Sequence, residues 1–229
     1  MIDDLKKEVI YYRNIFKQLA NEDPEFLLRE LFDIRGDLKV KVDNLYKELE
    51  ESLHAEGNNK GKILEQIVDE IFLSTNMYKN KVNIRDSSNE IDLLVDLNNL
   101  GEIESGILPD IMKNNKQIII ECKNYNRRID VNWIGKFHSL LRNRKKKFGI
   151  IFSYYQLKGI GHWDSARGLV KKIYLGEGIV IINITKDDIE RIVKNETCIV
   201  KIIEEKYNEL VFQTDIEKYI SKHPAEKKE

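Results

Sequence analysis

The sequence predicts an α/β protein in which amphipathic helices pack against a central mixed sheet. The first observation is the stretch Gln117–Lys123, in which three consecutive isoleucines precede Glu121. An apolar run that is this short and has no helical stripe is typical of a strand covered on both faces. The second observation is that apolar strand patterns at 149–153 and 179–184 alternate with helical patterns. Strands that alternate with helices in this way favour a layered α/β architecture.

Composition indicates the broad class of protein. The 229 residues are 41% hydrophobic and 34% charged with a net charge of −1, so overall charge says nothing about nucleic acid binding. The two cysteines fit a reducing cytoplasm. No stretch approaches the roughly 20 apolar residues that cross a bilayer, and the first residues lack the apolar core of a signal peptide. We therefore expect a soluble cytoplasmic protein that does not bind membranes.

We divide the chain into a helical N-terminal region (1–56), a core (57–195) and a C-terminal extension (196–229). The Gly- and Asn-rich segment Gly57–Gly61 breaks the helical pattern and marks the first boundary. Residues 196–222 are predicted to form a hairpin and a final helix, followed by a polar tail. We expect the helical N-terminal region to join two copies as a homodimer or to bind a partner protein.

Helix signals are clear in the N-terminal region. Asp23 is a capping residue and Pro24 suits the first helical turn. Gly36 is predicted to end that helix. The next helix carries an apolar seam, which we interpret as core packing, with a dimerising coiled coil as the alternative; its residues are Leu38, Val42, Leu45, Leu49 and Leu53.

The core begins with a helix and two strands. The helix has an apolar stripe, and Glu65 lies at the edge of that stripe. Residues 81–85 are predicted to form a strand, 86–89 a turn and Glu90–Leu97 a second strand. In the second strand alternate residues share a face, so Asp92 lies opposite the apolar face. A carboxylate in a strand that is predicted to be buried needs an explanation, because unpaired buried carboxylates are costly.

The rest of the core alternates helices with strands. Residues 98–116 are predicted to be irregular. Asp130 is predicted to cap a helix, a further helix covers 164–174, and Thr185 caps another. The predicted order is thus helix, two or three strands, helix, strand, helix, strand, helix.

The end of the central strand carries the candidate chemistry. Glu121 and Lys123 point to one face and Cys122 to the other. Asp92 and Glu121 on neighbouring strands can supply oxygens to Mg²⁺, or to Mn²⁺ in its place, with the backbone carbonyl of Cys122 as a third ligand. Lys123 can orient a water or stabilise charge on a phosphate. In isolation such a Glu/Lys pair is more often structural, but the apolar run and the strand acid together favour a site.

Charge is also distributed unevenly along the chain. Seven acids and no basic residue lie between Asp86 and Asp110, whereas nine basic residues and one acid lie between Lys123 and Lys147. An acidic pocket beside a basic flank suits a site in which the acids bind a cation and the basic residues bind a polyanion. The candidate nucleic-acid contacts are Arg127, Arg128, Arg142, Arg144 and Lys145. A solvated basic helix end is the alternative.

These motifs resemble those of the PD-(D/E)xK nucleases. The resemblance rests on Glu65, on Asn89–Val95 and on Ile118–Lys123, covers roughly residues 57–190, and is closest to Mrr-type restriction endonucleases and archaeal Holliday-junction resolvases. It implies a restriction-endonuclease-like α-β-β-β-α-β core, Mg²⁺-dependent hydrolysis of DNA and often a dimer. By this resemblance Asp92 and Glu121 are metal ligands, Lys123 is the catalytic lysine and Glu65 is a supporting acid.

Two departures from the family pattern leave alternatives open. Many Mrr-type proteins carry glutamine where this chain has Glu121, and the long gap after Asp92 implies an insertion at 98–116. Asp110 follows a proline and is a rival to Asp92 if Asn114–Asn115 turns a hairpin; we prefer Asp92 because its strand is longer. The sequence therefore predicts a metal-dependent endonuclease acting on DNA in restriction, phage defence or repair. The alternative is a nucleic-acid-binding or assembly module that keeps the fold without turnover.

Overall fold

The computed structural model describes residues 2–52, 59–85, 90–124, 127–159 and 165–212. The predicted turn at 86–89, Leu53 of the predicted seam and the polar tail after Phe212 lie outside these residues.

Helices and strands follow one another as the sequence predicts for an α/β protein. The helices are α1 (Ile2–Glu22), α2 (Pro24–Phe32), α3 (Gly36–Ser52), α4 (Asn59–Ser74), α5 (Asn99–Glu104), α6 (Asp110–Asn114), α7 (Val131–Asn143), α8 (Ser165–Glu177), α9 (Lys186–Val193) and α10 (Ile199–Phe212). The strands are β1 (Tyr78–Arg85), β2 (Glu90–Leu97), β3 (Gln117–Lys123), β4 (Phe148–Ser153) and β5 (Val180–Thr185).

The five strands form one mixed sheet in the order β1-β2-β3-β4-β5. The pairs β1–β2 and β2–β3 are antiparallel, whereas the pairs β3–β4 and β4–β5 are parallel. The carboxyl ends of the three parallel strands therefore meet at one edge of the sheet. The predicted mixed-sheet α/β fold is confirmed.

Helices cover both faces of the sheet. Gly149 of β4 lies directly under α7, because a Cβ built there would be 2.7 Å from the ring of Phe137. On the opposite face, the Asn80 side chain of β1 donates a hydrogen bond of 2.8 Å to Asp69 of α4. Ile118, Ile119 and Ile120 are each at most 1% exposed between these layers. The prediction of a central strand buried on both faces is confirmed.

Three predicted helix starts are confirmed, and one predicted helix end is wrong; the predicted start at Asp164 lies outside the described residues. Asp23 accepts a hydrogen bond from the backbone N–H of Phe26, Asp130 caps α7, and Thr185 forms a capping box at the start of α9. Gly36 does not end α2, which stops at Phe32. It begins α3 instead, with φ +59 in the left-handed region that glycine tolerates.

Two further predictions need correction. Residues 98–116 are not irregular, since α5 and α6 occupy most of this segment and Asn98 caps α5 by accepting from the backbone N–H of Gly101. Residues 199–212 form the single helix α10 instead of a hairpin. Their β-branched residues suit strands, but Ile199, Ile202 and Ile203 recur at helical spacing and are buried against the core. Packing therefore overrides the local propensity.

The N-terminal helices differ in how they pack. Val42, Tyr46 and Leu49 of α3 are buried in the same hydrophobic core as the sheet, so the interpretation of this seam as core packing is confirmed. By contrast, α1 has no buried residue and packs alongside α2. The three-part division of the chain stays a prediction. Within the described residues, no helix is both long enough and apolar enough to cross a membrane.

Candidate active site

Three charged side chains meet at the carboxyl end of β3. The antiparallel register places Leu93 opposite Ile120, so the next pair along the strands is Asp92 and Glu121. Because strand residues directly opposite each other share a face, the two carboxylates point to the same side of the sheet. Lys123 follows two residues later on that face. The structure therefore brings together the residues that the sequence predicts.

The ammonium of Lys123 lies between the two carboxylates. Its Nζ contacts Glu121 Oε1 and lies 3.7 Å from Asp92 Oδ2. The same Asp92 oxygen accepts a hydrogen bond of 2.7 Å from the backbone N–H of Cys122, which ties the β2 acid to β3. The three charged side chains are only 13–14% exposed. Their charges thus act on one another with little screening by water.

The site holds excess negative charge. Burial, and then the charge of Asp92, raise the pKa of Glu121 even though Lys123 opposes the shift. Glu65 of α4 is affected by the same charges. Burial, and then the charge of Asp92, raise the pKa of its carboxyl as well. Three carboxylates and one ammonium leave a net charge of −2 at neutral pH when all are ionised. A cation bound here would relieve that repulsion.

The residues present fit a magnesium ion. Asp92 and Glu121 already direct carboxylate oxygens at one positive charge, and Mg²⁺ is typically held by one or two carboxylates together with waters. Among the described residues, no group of three or more His, Cys, Asp or Glu side chains is arranged to hold a metal. The two carboxylates and the Cys122 carbonyl stay the predicted ligands.

Cys122 contributes only its backbone. Its side chain is buried on the opposite face, and burial followed by the charge of Asp92 raises the pKa of its thiol well above the usual value. A thiol that resists ionisation is a poor nucleophile.

A cavity of about 160 Å³ opens beside the carboxylates, between β3 and α7. The indole ring of Trp133 forms part of its wall, with the ring centre 4.9 Å from Lys123 Nζ and 4.8 Å from Lys136 Nζ. Trp133 therefore lies at the site and also packs against the core. The sequence reasoning missed Lys136, although its position one helical turn after Trp133 placed it on the same side of α7. The full lining is Glu90, Glu121, Lys123, Ile129, Trp133, Lys136, Phe137, Leu140 and Ile151.

The rival aspartate does not reach the site. Asp110 begins α6 instead of lying in a strand, its side chain is 83% exposed, and it forms an ion pair with Lys113 at 3.3 Å. The hairpin that would have placed Asp110 beside Glu121 does not form, because residues 110–114 are helical. The structure therefore does not place Asp110 beside Glu121, and Asp92 stays the predicted ligand.

The predicted nucleic-acid contacts fall into two groups. Arg127 and Arg128 are exposed and lie shortly after β3 in the chain. The second group lies at the far end of α7, roughly 16 Å from Trp133 at 1.5 Å per residue; it consists of Arg142, Arg144 and Lys145. Arg142 forms an ion pair of 3.2 Å with Glu177. The structure therefore does not bring the second group to the carboxylates.

The mixed five-stranded sheet with an Asp, Glu and Lys set at one edge defines a nuclease fold of the restriction-endonuclease type. The family model Mrr_cat, described as a restriction endonuclease, matches residues 57–184. This match covers more than half of the chain, so the protein belongs to the Mrr-type restriction endonuclease family. No curated protein and no solved structure matches the chain.

Proposed function

We propose that this protein is a Mg²⁺-dependent endonuclease that hydrolyses phosphodiester bonds of DNA in restriction, phage defence or repair. The observation that carries the proposal is the shielded set in which Lys123 lies between the carboxylates of Asp92 and Glu121. Such a set combines ligands for a hard cation with a fixed positive charge for a phosphate. Mn²⁺ would serve in place of Mg²⁺.

In this proposal, each side chain has a separate task. Asp92, Glu121 and the carbonyl of Cys122 would hold the metal, which when bound would polarise a phosphoryl oxygen and activate water. Asp92 keeps its orientation because the Cys122 N–H holds one of its oxygens. Lys123 donates hydrogen bonds to the attacking water or to the phosphate and stabilises the charge that develops there.

Glu65 acts as a supporting residue. Its carboxyl comes from α4 and feels the charges of Asp92 and Lys123, while burial raises its pKa. It would hold water next to the two ligands and keep the local charge negative enough to attract a divalent cation. Its loss would therefore weaken metal binding less than the loss of Asp92 or Glu121.

In this proposal, basic side chains contact the phosphates of the DNA backbone. Arg127 and Arg128, together with Lys136 at the cavity, supply the inner phosphate contacts. Arg142, Arg144 and Lys145 would contact phosphates further along the same duplex. Measured along α7 at 1.5 Å per residue, the second group lies roughly 9–14 Å beyond Lys136, which corresponds to about three to four base-pair steps of the DNA axis.

The alternative is a binding or assembly module that keeps the nuclease fold without turnover. Such a module has no need of a divalent cation at Asp92 and Glu121. Calorimetry with Mg²⁺ or Mn²⁺ on the wild type and on Asp92→Asn separates the two functions. Heat of binding in the wild type that Asp92→Asn removes supports the enzyme, whereas no binding by either protein favours the module.

A cleavage panel tests the proposed activity and its substrate. Wild type would be incubated with Mg²⁺ or Mn²⁺ and with supercoiled, linear, methylated, branched or single-stranded DNA, or with RNA. Asp92→Ala should abolish cleavage, whereas Asp110→Ala should leave most of it. Asp96→Asn is a matched control, since Asp96 also lies on β2 and faces a lysine, Lys79, at 4.0 Å. Cleavage that survives Asp92→Ala and EDTA would overturn the proposal.

A further inference from the structure

Helix α1 carries an apolar seam at heptad spacing. Its members recur at alternating intervals of three and four residues, and they are Ile2, Leu5, Val9, Tyr12, Phe16 and Leu19. These positions correspond to a and d of three successive heptads. A pattern sustained along a helix of 21 residues, about 30 Å long at 1.5 Å per residue, predicts a partner helix of similar length.

Most of the seam is not covered by the part of the chain that the structure describes. Ile2 is 70% exposed, Leu5 57%, Val9 65% and Tyr12 63%. Only the last two members, Phe16 and Leu19, are half-buried. A row of apolar side chains in water is unusual on a soluble surface and marks an interaction site.

We propose that α1 pairs with α1 of a second copy of this chain as a parallel two-stranded coiled coil. The residue types fit this partner: the a positions Ile2 and Val9 are β-branched, and Leu5 and Leu19 occupy d positions. β-branched residues at a with leucine at d favour parallel dimers. This inference does not depend on nuclease activity.

The flanking charges select the same partner and orientation. Glu8 precedes an a position and Arg13 follows a d position, so they occupy g and e of successive heptads. In a parallel pair each Glu8 faces Arg13 of the other helix, which gives two attractive contacts. A fully overlapping antiparallel pair would instead bring the two Arg13 side chains together near the middle. Charge complementarity therefore favours two copies in parallel.

Pairing in this way sets the relation between two active sites. Each chain leaves the coiled coil at the same end, after Glu22, so both nuclease domains follow on one side of it. Two active sites held together suit the cleavage of both strands of one duplex. That consequence rests on the proposed function, whereas the pairing does not.

Sedimentation velocity on the full chain tests the pairing with a matched pair of tyrosines. Tyr11 and Tyr12 are adjacent and 64% and 63% exposed, but only Tyr12 lies on the seam. The wild type should sediment as a dimer, Tyr12→Glu should raise the dimer dissociation constant at least about tenfold, and Tyr11→Glu should leave it near the wild-type value. Circular dichroism would check that both variants keep their helix content.

Three further variants test partner and orientation. Glu8→Arg should weaken the dimer by repulsion from Arg13, and adding Arg13→Glu should restore it. Leu5→Cys should form an intermolecular disulfide on oxidation, because parallel in-register helices place the two position-5 side chains side by side; Cys122 and Cys198 are buried and do not compete. A monomeric wild type, equal effects of Tyr11→Glu and Tyr12→Glu, or a dimer without a disulfide at position 5 would each overturn the proposal.

Discussion

Lys123 Nζ lies 3.7 Å from Asp92 Oδ2, although 31 positions separate the two residues in the chain. The antiparallel register of β2 and β3 produces this proximity, and the backbone N–H of Cys122 fixes the same Asp92 oxygen at 2.7 Å. The lysine thus contacts the same two carboxylates that would bind a metal ion. The chemistry of the site depends on how these three charges are balanced.

The first prediction concerns Trp133, whose ring centre lies 4.9 Å from Lys123 Nζ. An aromatic face attracts an ammonium, so the ring would help to hold Lys123 in place. Trp133→Leu should lower the cleavage rate several-fold with little change in the Kd for DNA, whereas Trp133→Phe should retain most of the rate. Single-turnover kinetics and a binding assay in Ca²⁺ provide the two measurements. Equal rates for the leucine and phenylalanine variants would rule out a role for the ring.

A second prediction concerns pH and stability in the absence of metal. The pKa of Glu121 is raised above its ordinary value of 4.5. Between pH 4.5 and the raised pKa, this carboxyl therefore binds more protons in the folded protein than in the unfolded chain. The contribution of Glu121 to the free energy of unfolding is therefore fully present below pH 4.5 and is lost as pH rises through the raised pKa.

Denaturant unfolding in EDTA from pH 4 to pH 8 would measure this effect. The stability of the wild type relative to Glu121→Gln should fall as pH rises, because glutamine does not titrate. Mg²⁺ should reverse the trend, since it binds the ionised carboxylates and competes with protons. A stability difference that does not change with pH in EDTA would contradict the raised pKa.

The third prediction compares two glycines, Gly149 in β4 beneath α7 and Gly135 in α7 itself. A Cβ at Gly149 would lie 2.7 Å from the Phe137 ring and 2.9 Å from Leu141, whereas a Cβ at Gly135 meets no atom within 4 Å. Gly149→Ala should therefore lower the free energy of unfolding by about 1–3 kcal/mol through overpacking. Gly135→Ala should raise it by up to about 1 kcal/mol, because alanine favours helix. Chemical denaturation of both variants checks the pair, and a stabilised Gly149→Ala would mean that α7 does not pack on β4 as described.

The sequence was sufficient to predict the elements whose patterns are local. Alternation in 90–97 placed Asp92 away from the apolar face, and the isoleucine run identified β3 with Glu121 and Lys123 on one side. Capping residues such as Asp130 marked helix starts because their side chains bond to the next few backbone N–H groups. These signals need no tertiary information.

Other features depend on contacts between distant parts of the chain. The short helix α5 depends on a close approach in which a Cβ at Gly101 would overlap the Met77 carbonyl oxygen. Residues 199–203 are rich in β-branched side chains, and only packing against the core makes them helical. Lys136 lines the cavity only because α7 lies across β3. Asp110 fitted the literal motif but lies in a different element.

The measurement that tests the central claim most directly compares two lysines. Supercoiled DNA would be incubated with Mg²⁺ and wild type, Lys123→Ala or Lys79→Ala, in matched reactions with and without EDTA. Lys79 also lies on a strand beside an aspartate, with Nζ 4.0 Å from Asp96, but away from the site. We expect EDTA-sensitive cleavage by wild type and Lys79→Ala, and a rate at least about 100-fold lower for Lys123→Ala. Cleavage by Lys123→Ala at the wild-type rate would contradict the role assigned to this lysine.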